Sequence, residues 1–436
     1  MDSRLSVLRR TRARGNDTGR AFLVKVKEKK GKFWSFLRYA KDSFIIGAGD
    51  DDPGGIATYA QVGAVAGLSQ LWLIALSTPM LIAVQEMSMR IGVVTKKGLS
   101  AVLKENFGFR LSAMAAVIVL ICNVATIGAD IAAISEATQI FTGVAWQWFV
   151  LPVCALILFL LIKGKYKQIS KFLFILTPLL LCYVVAGLLA NLNWFDVLKS
   201  TVIPKFEFNL PFWTVAVGLL GTTISPYLIY WQTTEEVEDR TQLSDIKKEA
   251  IGVRAGMVYS NFVSFFIIVC ASLLYSKQGV YIDTAAEAAR ALRPLAGDYS
   301  SYLFAFGIIA AGILAIPILS ASAAYALSEI FNWREGLDKK LKKAEAFYLV
   351  IIAAIMAGAL MALFGIEPMK MLLYSQVLNG VLCPILILLL LIVCNRKKIM
   401  GPHKNGWFLN IFGSVTIIVM VASSLLMLIS YLFNRS

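Results

Sequence analysis

The chain has one histidine, His403, in 436 residues. It lies between apolar runs, so a histidine relay through a membrane and an imidazole-rich metal or catalytic centre are both excluded. Charge is also scarce. Only 16% of residues are Asp, Glu, Lys or Arg, against 58% hydrophobic, with a mean hydropathy of +0.71. An ordinary soluble domain carries about 25% charged residues. The six cysteines (122, 154, 182, 270, 383, 394) form no C-x-x-C pair and sit within or at the ends of apolar runs, which excludes a zinc site and a disulfide framework. There is no period-two alternation of the kind a membrane β-barrel needs, and no G-x-S-x-G nucleophile motif in the apolar runs. No enzyme is expected. No cleavable signal peptide is visible, because the chain is basic for over forty residues before its first apolar run.

What remains is long apolar runs, and they predict an all-α polytopic membrane protein. About eleven transmembrane segments can be drawn, at roughly 44–68, 70–93, 111–138, 147–163, 169–190, 212–233, 251–275, 301–330, 346–365, 371–394 and 407–433. The net charge of +15 would suit nucleic acid or a membrane surface. Its distribution decides for the membrane. With the N-terminus placed in the cytoplasm, 35 of the 42 Lys and Arg fall on the inner side, as the positive-inside rule requires. No nucleic-acid partner is needed. The expected location is the cell's inner (plasma) membrane, multi-pass, with a cytoplasmic N-terminus and the C-terminus outside. Residues 1–43 read as a basic cytoplasmic tail. The polybasic run 25–32 followed by Phe33, Trp34, Phe36 and Leu37 suits either an interfacial helix on anionic lipid or a solvated tail.

Two segments are interrupted. The first contains Gly49-Asp50-Asp51-Asp52-Pro53-Gly54-Gly55, three carboxylates beside three helix breakers. The second contains Gly221-Thr222-Thr223-Ile224-Ser225-Pro226-Tyr227. Segments 1–5 and 6–10 therefore each open on a broken helix. This is the pattern of a 5+5 inverted repeat with discontinuous helices 1 and 6, in which the breaks line a substrate site. Repeat one covers about 44–190 and repeat two about 212–394, within a single transmembrane domain at 44–434. The helix at about 407–433 is an addition. Asp130 lies deep in segment 3, with Glu136 nearer its outer end. Glu86 and Arg90, at i and i+4, suit an ion pair near the inner surface. The acidic cluster Glu235, Glu236, Glu238 and Asp239 reads as a solvated inner loop.

A helix unwound at Pro53 and Pro226 frees backbone carbonyls that must line a cavity or coordinate something. Asp52 adds a charged oxygen, and Thr222, Ser225 and Gln376 add neutral ones. Oxygen sets suit hard cations such as Mg²⁺, Ca²⁺ or Mn²⁺, and the room left by Gly54 and Gly55 favours a partly hydrated Mg²⁺.

At these residues the chain resembles the NRAMP family of divalent metal transporters. Asp52-Pro53-Gly54-Gly55 is similar to the family's D-P-G-N motif, and Gly221-Thr222-Thr223-Ile224-Ser225-Pro226-Tyr227 to its G-A-T-V-M-P-H motif. Arg90-Ile91-Gly92-Val93-Val94-Thr95 and Ser375-Gln376-Val377 resemble further family segments. The resemblance implies a LeuT-like fold with alternating access. Gly55 stands for the motif Asn, Ser225 for Met, Tyr227 for the first His and Gln232 for a second. The family's D-x-x-E pair in helix 3 is Asp130 with Ala133. With these departures the chain most resembles the divergent NRAMP-related magnesium transporters of bacteria, which implies Mg²⁺ and Mn²⁺ import without proton coupling. The alternative is a proton-coupled Mn²⁺/Fe²⁺ symporter. The implied metal site is Asp52, Gly49, Gly55, Thr222, Ser225 and Gln376, with Asp51, Tyr227, Asp130 and Gln232 around it or along the pathway. No cofactor is expected beyond the transported ion. Expected partners are that ion and the bilayer, with anionic lipid at the tail.

Overall fold

The computed structural model describes residues 52–163, 180–275 and 281–433. The basic tail, Gly49, Asp50, Asp51, the first half of segment 1 and the start of segment 5 lie outside these residues. Every described element is helical. The main helices are α1 (Pro53–Ala66), α2 (Leu71–Thr95), α3 (Leu99–Phe107), α4 (Phe109–Thr142), α5 (Val150–Lys163), α6 (Leu181–Leu189) and α7 (Trp194–Val202). They continue with α8 (Leu210–Thr223), α9 (Pro226–Glu238), α10 (Ile246–Ala271), α11 (Ser300–Phe331), α12 (Glu345–Ala362), α13 (Pro368–Asn395) and α14 (Trp407–Phe433). Nine helical stretches among the described residues are long and apolar enough to cross a membrane.

Burial separates centre from rim. The apolar window of the interrupted pair α8/α9 is 100% buried, whereas that of α14 is only 17% buried. All fourteen residues of α1 are buried as well. α1, α8 and α9 therefore form the middle of the bundle. α1 and α8 pack on each other and on α13, while α10 closes on α1 and α2, and α4 packs against α11, α12 and α13. Small residues allow these approaches. A Cβ on Gly128 of α4 would lie 2.9 Å from the Gly358 carbonyl of α12. Lipid-facing side chains such as Leu349, Ile418 and Leu425 stay exposed on the outer helices, as expected where the solvent is hydrocarbon.

The structure revises one expectation about charge and extends another. The acidic cluster is not a solvated loop. α9 runs on to Glu238, Glu236 is buried and accepts from Gln232 Nε2 at 3.0 Å, and Glu238 accepts from the Tyr325 hydroxyl on α11. A polar helix end buried by its neighbours looks like a loop when only hydropathy is read. The Glu86–Arg90 pair is present at 2.7 Å, but Glu86 also binds Arg254 of α10 at 2.8 Å. One carboxylate, with a side chain 1% exposed, thus ties α2 to α10. The cysteines are all free, five of them buried and Cys182 half-buried.

A buried carboxylate that keeps one arginine remains compensated, whereas one that loses both does not. Arg254→Ala is expected to lower stability by about 1 kcal/mol. The Arg90→Ala/Arg254→Ala double variant should lose about 3–5 kcal/mol, more than the two single losses added together. Unfolding midpoints of the purified protein and its three variants measure this directly.

Candidate ion site at the two helix breaks

The first break is built by Asp52. It takes extended backbone angles before α1, and its Oδ1 accepts from the Gly55 N–H at 2.5 Å, a side-chain N-cap with Pro53 at the first helical position. The same residue that starts the half-helix thereby places a carboxylate, 1% exposed, in the middle of the bundle. The second break is built differently. Ile224 and Ser225 leave helical geometry, and Pro226 begins α9. The Ser225 hydroxyl turns back and donates to the carbonyls of Thr222 (2.7 Å) and Gly221 (3.1 Å) at the end of α8. A carbonyl has two lone pairs, so that of Thr222 keeps one for another ligand.

α13 brings the two breaks together. Gln376 Nε2 lies 3.4 Å from Asp52 Oδ2. A Cβ on Gly54 would fall 2.1 Å from that amide nitrogen, and one on Gly221 would fall 1.9 Å from the Gln376 backbone oxygen. Gly54 and Gly221 are thus the clearances that let α13 seat against both breaks. Asp52, Thr222, Ser225 and Gln376 are each 1% exposed or less. Asp130, on α4, is fully buried. Its electrostatic neighbours are the Asp52 carboxylate and the Gly54 amide.

The other sequence-predicted residues are placed as follows. Tyr227 is buried in the first turn of α9. Gln232 is two turns further along α9, about 10 Å from Ser225 at 1.5 Å per residue, and its amide serves Glu236. It is not among the side chains gathered at Asp52. Gly49 and Asp51 lie outside the described residues. Gln376 differs from the expected carbonyl donor. It turns its NH₂ to Asp52 while its Oε1 accepts from Asn379 Nδ2 at 2.8 Å, so the carbonyl faces an ion only after the amide rotates. Asn379 also donates to Thr126 Oγ1 at 3.3 Å. The sequence reading missed Asn379 and Thr126. Their spacing was the available signal, three residues after Gln376 and four before Asp130 in apolar runs, which puts each pair on one helix face.

Among the described residues no three His, Cys, Asp or Glu side chains converge as a metal cluster. An ion here would be held by one or two carboxylates, neutral oxygens and water. The C-terminal, partially negative end of α8 favours a cation, and Asp52 offsets the positive N-terminus of α1. This is the arrangement by which broken membrane helices bind ions.

Residues 43–430 match the family described as natural resistance-associated macrophage protein-like, Nramp. The chain belongs to the Nramp family. Its members are transporters, not enzymes, and this Nramp chain is a multi-pass membrane protein. It is 25% identical over 414 residues to a protein of Caldanaerobacter subterraneus named divalent metal cation transporter MntH, covering 90% of this chain and 93% of that one. It is 22% identical over 410 residues to the Bacillus subtilis protein of the same name, covering 91% and 93%. The fold is similar to the Eremococcus coleocola manganese transporter (TM-score 0.68, 19% identity, 91% of this chain and 87% of that one). It is also similar to Mhp1, a nucleobase-cation-symport-1 transporter (TM-score 0.58, 14% identity, 91% and 92%). The fold is LeuT-like.

The two glycines predict different failures. Gly54→Ala meets the end of a flexible side chain, so the protein should fold with Gln376 displaced and bind metal more weakly. Gly221→Ala meets backbone and should cost about 1–3 kcal/mol of stability, as overpacking does. Calorimetric metal titration and thermal unfolding of both variants separate the two outcomes.

Proposed function

We propose that this Nramp protein imports divalent metal ions, chiefly Mg²⁺ with Mn²⁺, by alternating access and without proton coupling. The observation that carries the reading is the donor set. Asp52 with Gln376 at the first break and Thr222 with Ser225 at the second all bear oxygen, the Gln376 backbone is seated on Gly221 beside the second, and neither break holds an imidazole, thiolate or thioether. Hard, partly hydrated cations match such a set. Asp52 supplies the anionic ligand. Gly49 and Thr222 supply backbone carbonyls, Ser225 an oxygen or a water contact, and Gln376 a closing ligand once its amide turns. The small Gly55 leaves space for water on the ion. Pro53, Gly54 and Pro226 keep the helices open at this depth. The name of the MntH relatives and the manganese transporter neighbour support a divalent cation as cargo.

We place the basic loops, and with them residues 1–43, in the cytoplasm, and treat 44–434 as one domain with repeats at about 44–190 and 212–394. An inside-negative potential then contributes about 4.6 kcal/mol per 100 mV to entry of a divalent ion, so import proceeds without a second ion.

One observation favours proton-coupled Mn²⁺/Fe²⁺ symport instead. Asp130 is a buried carboxylate beside Asp52, and such a group is suited to carrying a proton. Against it stand Ser225, Tyr227, Gln232 and Ala133, where the resembled motifs hold Met, His, His and Glu.

Proteoliposomes with interior dyes for Mg²⁺ and pH discriminate the two. Mg²⁺ entry without acidification is expected. Mn²⁺ entry with acidification and no Mg²⁺ signal would return the protein to symport. Asp52→Ala should reduce uptake at least tenfold while leaving a folded protein; normal uptake would remove Asp52 from the site. The Gly55→Asn/Ser225→Met double variant should shift competition from Mg²⁺ towards Cd²⁺ and Mn²⁺. An unchanged ion ranking would locate selectivity elsewhere.

A further inference from the structure

A second built feature lies well away from the helix breaks, where α2, α10 and the start of α14 meet. It is a cavity of about 370 Å³ lined by Arg90, Arg254, Glu86, Ile82, Trp407 and Leu409, among others. Glu86 holds both arginines by the same edge. Arg90 Nε and Nη2 bind Oε1 at 3.1 and 2.7 Å, and Arg254 Nε and Nη2 bind Oε2 at 2.9 and 2.8 Å. The Nη1 group of each is left unused by Glu86. Two guanidinium groups are thereby fixed side by side on one buried carboxylate, with a surplus of one positive charge and donors to spare. Neither needs to be ordered when an anion arrives, which lowers the cost of binding it.

We propose that this cavity binds the phosphate headgroup of an anionic glycerophospholipid. Four observations commit it to a lipid rather than a soluble anion. The cavity is at the end of the bundle that carries the basic stretches 96–104, 240–254 and 396–404, the leaflet where anionic lipid is attracted. Its rim is amphipathic, with Ile82 and Leu409 on the apolar side and Trp407 74% exposed beside the arginines. Trp takes this position at the headgroup level of a bilayer. Ile251 and Val258 on α10 and Ile411 on α14 are exposed next to it along the same helices, a surface for acyl chains. Arg254 is open to an approaching headgroup, with its side chain 51% exposed. The chain's own N-terminal tail is a poor occupant, because residues 1–43 carry 13 Lys and Arg against four acids and would be repelled.

The consequence is a lipid that bridges α2, α10 and α14. α14 is the least buried of the spanning helices, and a headgroup shared with Arg90 and Arg254 adds to what holds it on the bundle. This inference is independent of which ion is carried.

The test is native mass spectrometry of the full-length protein titrated with phosphatidylglycerol or phosphatidylcholine of matched chains. The wild type should retain one phosphatidylglycerol about tenfold more tightly than phosphatidylcholine. Arg254→Gln, which leaves the Glu86–Arg90 pair in place, should weaken phosphatidylglycerol about fivefold, the factor expected per arginine near an anionic lipid, with phosphatidylcholine unchanged. Trp407→Gln should weaken both lipids. Equal retention of the two lipids by the wild type, or undiminished phosphatidylglycerol on Arg254→Gln, would overturn the proposal. Displacement of phosphatidylglycerol by millimolar inorganic phosphate would overturn it too, since the site would then serve a soluble anion. If Arg254→Gln fails to fold, the wild-type lipid ratio and the exposed-site Trp407→Gln variant decide alone.

Discussion

The bundle is arranged around one carboxylate that has to be in its middle. A carboxylate carried into a hydrocarbon-like interior is tolerated only where fixed dipoles replace the water it loses. Asp52 meets that condition by capping α1: the Gly55 N–H at 2.5 Å and the Gln376 amide at 3.4 Å supply what solvent would. The cap can form only if the helix is interrupted, and an interrupted helix survives at this depth only if its neighbours bury it on all sides. The complete burial of α1, the burial of α8 and α9 on either side of their break and the close seating of α13 follow from that requirement.

The two breaks are not equivalent, and the difference bears on ion binding. At the first, a charged side chain faces the positive end of a half-helix and is partly neutralised by it. At the second, the Ser225 hydroxyl is turned back on the α8 carbonyls and does not cap α9. That arrangement partly satisfies the C-terminal carbonyls of α8 while leaving lone pairs in place. A methionine at this position would have no hydroxyl to turn back, and would offer a polarisable sulfur instead. The identity of one side chain therefore changes both the hardness of the site and how firmly the end of α8 is held.

Much of this was legible in the sequence, because bilayer physics leaves few solutions. Long apolar runs, the asymmetry of basic residues and two Pro/Gly interruptions were enough for an all-helical membrane fold and for where α1 and α9 begin, at Pro53 and Pro226. The segment read at 407–433 coincides with Trp407–Phe433, since a single uninterrupted span has sharp hydropathy edges. The failures have a common cause. Glu236 looked solvated because hydropathy does not report burial by other helices, and α9 carries a polar helix end into the protein interior. Arg254 was counted only as a basic residue on one side of the membrane. Its partner Glu86 is 168 positions away and becomes visible only when α2 and α10 are packed together. Amide orientation was out of reach as well, because Gln376 is turned by Asn379, and a hydrogen bond between neighbours on one face depends on the rotamers of both.

The two polar clusters show how the same chemical problem is solved for opposite ends. At the helix breaks the hydrogen-bond partners of Asp52 are an amide N–H and a side-chain amide, neither of them charged, and the metal ion we propose there would complete it. Near the ends of α2 and α10 one carboxylate is given two arginines, so positive charge is left over, and the anion we propose there would complete it. Both clusters place their surplus charge on helices that pack against each other through α1, α2 and α10. In both proposals the sign of the surplus charge sets the class of ligand.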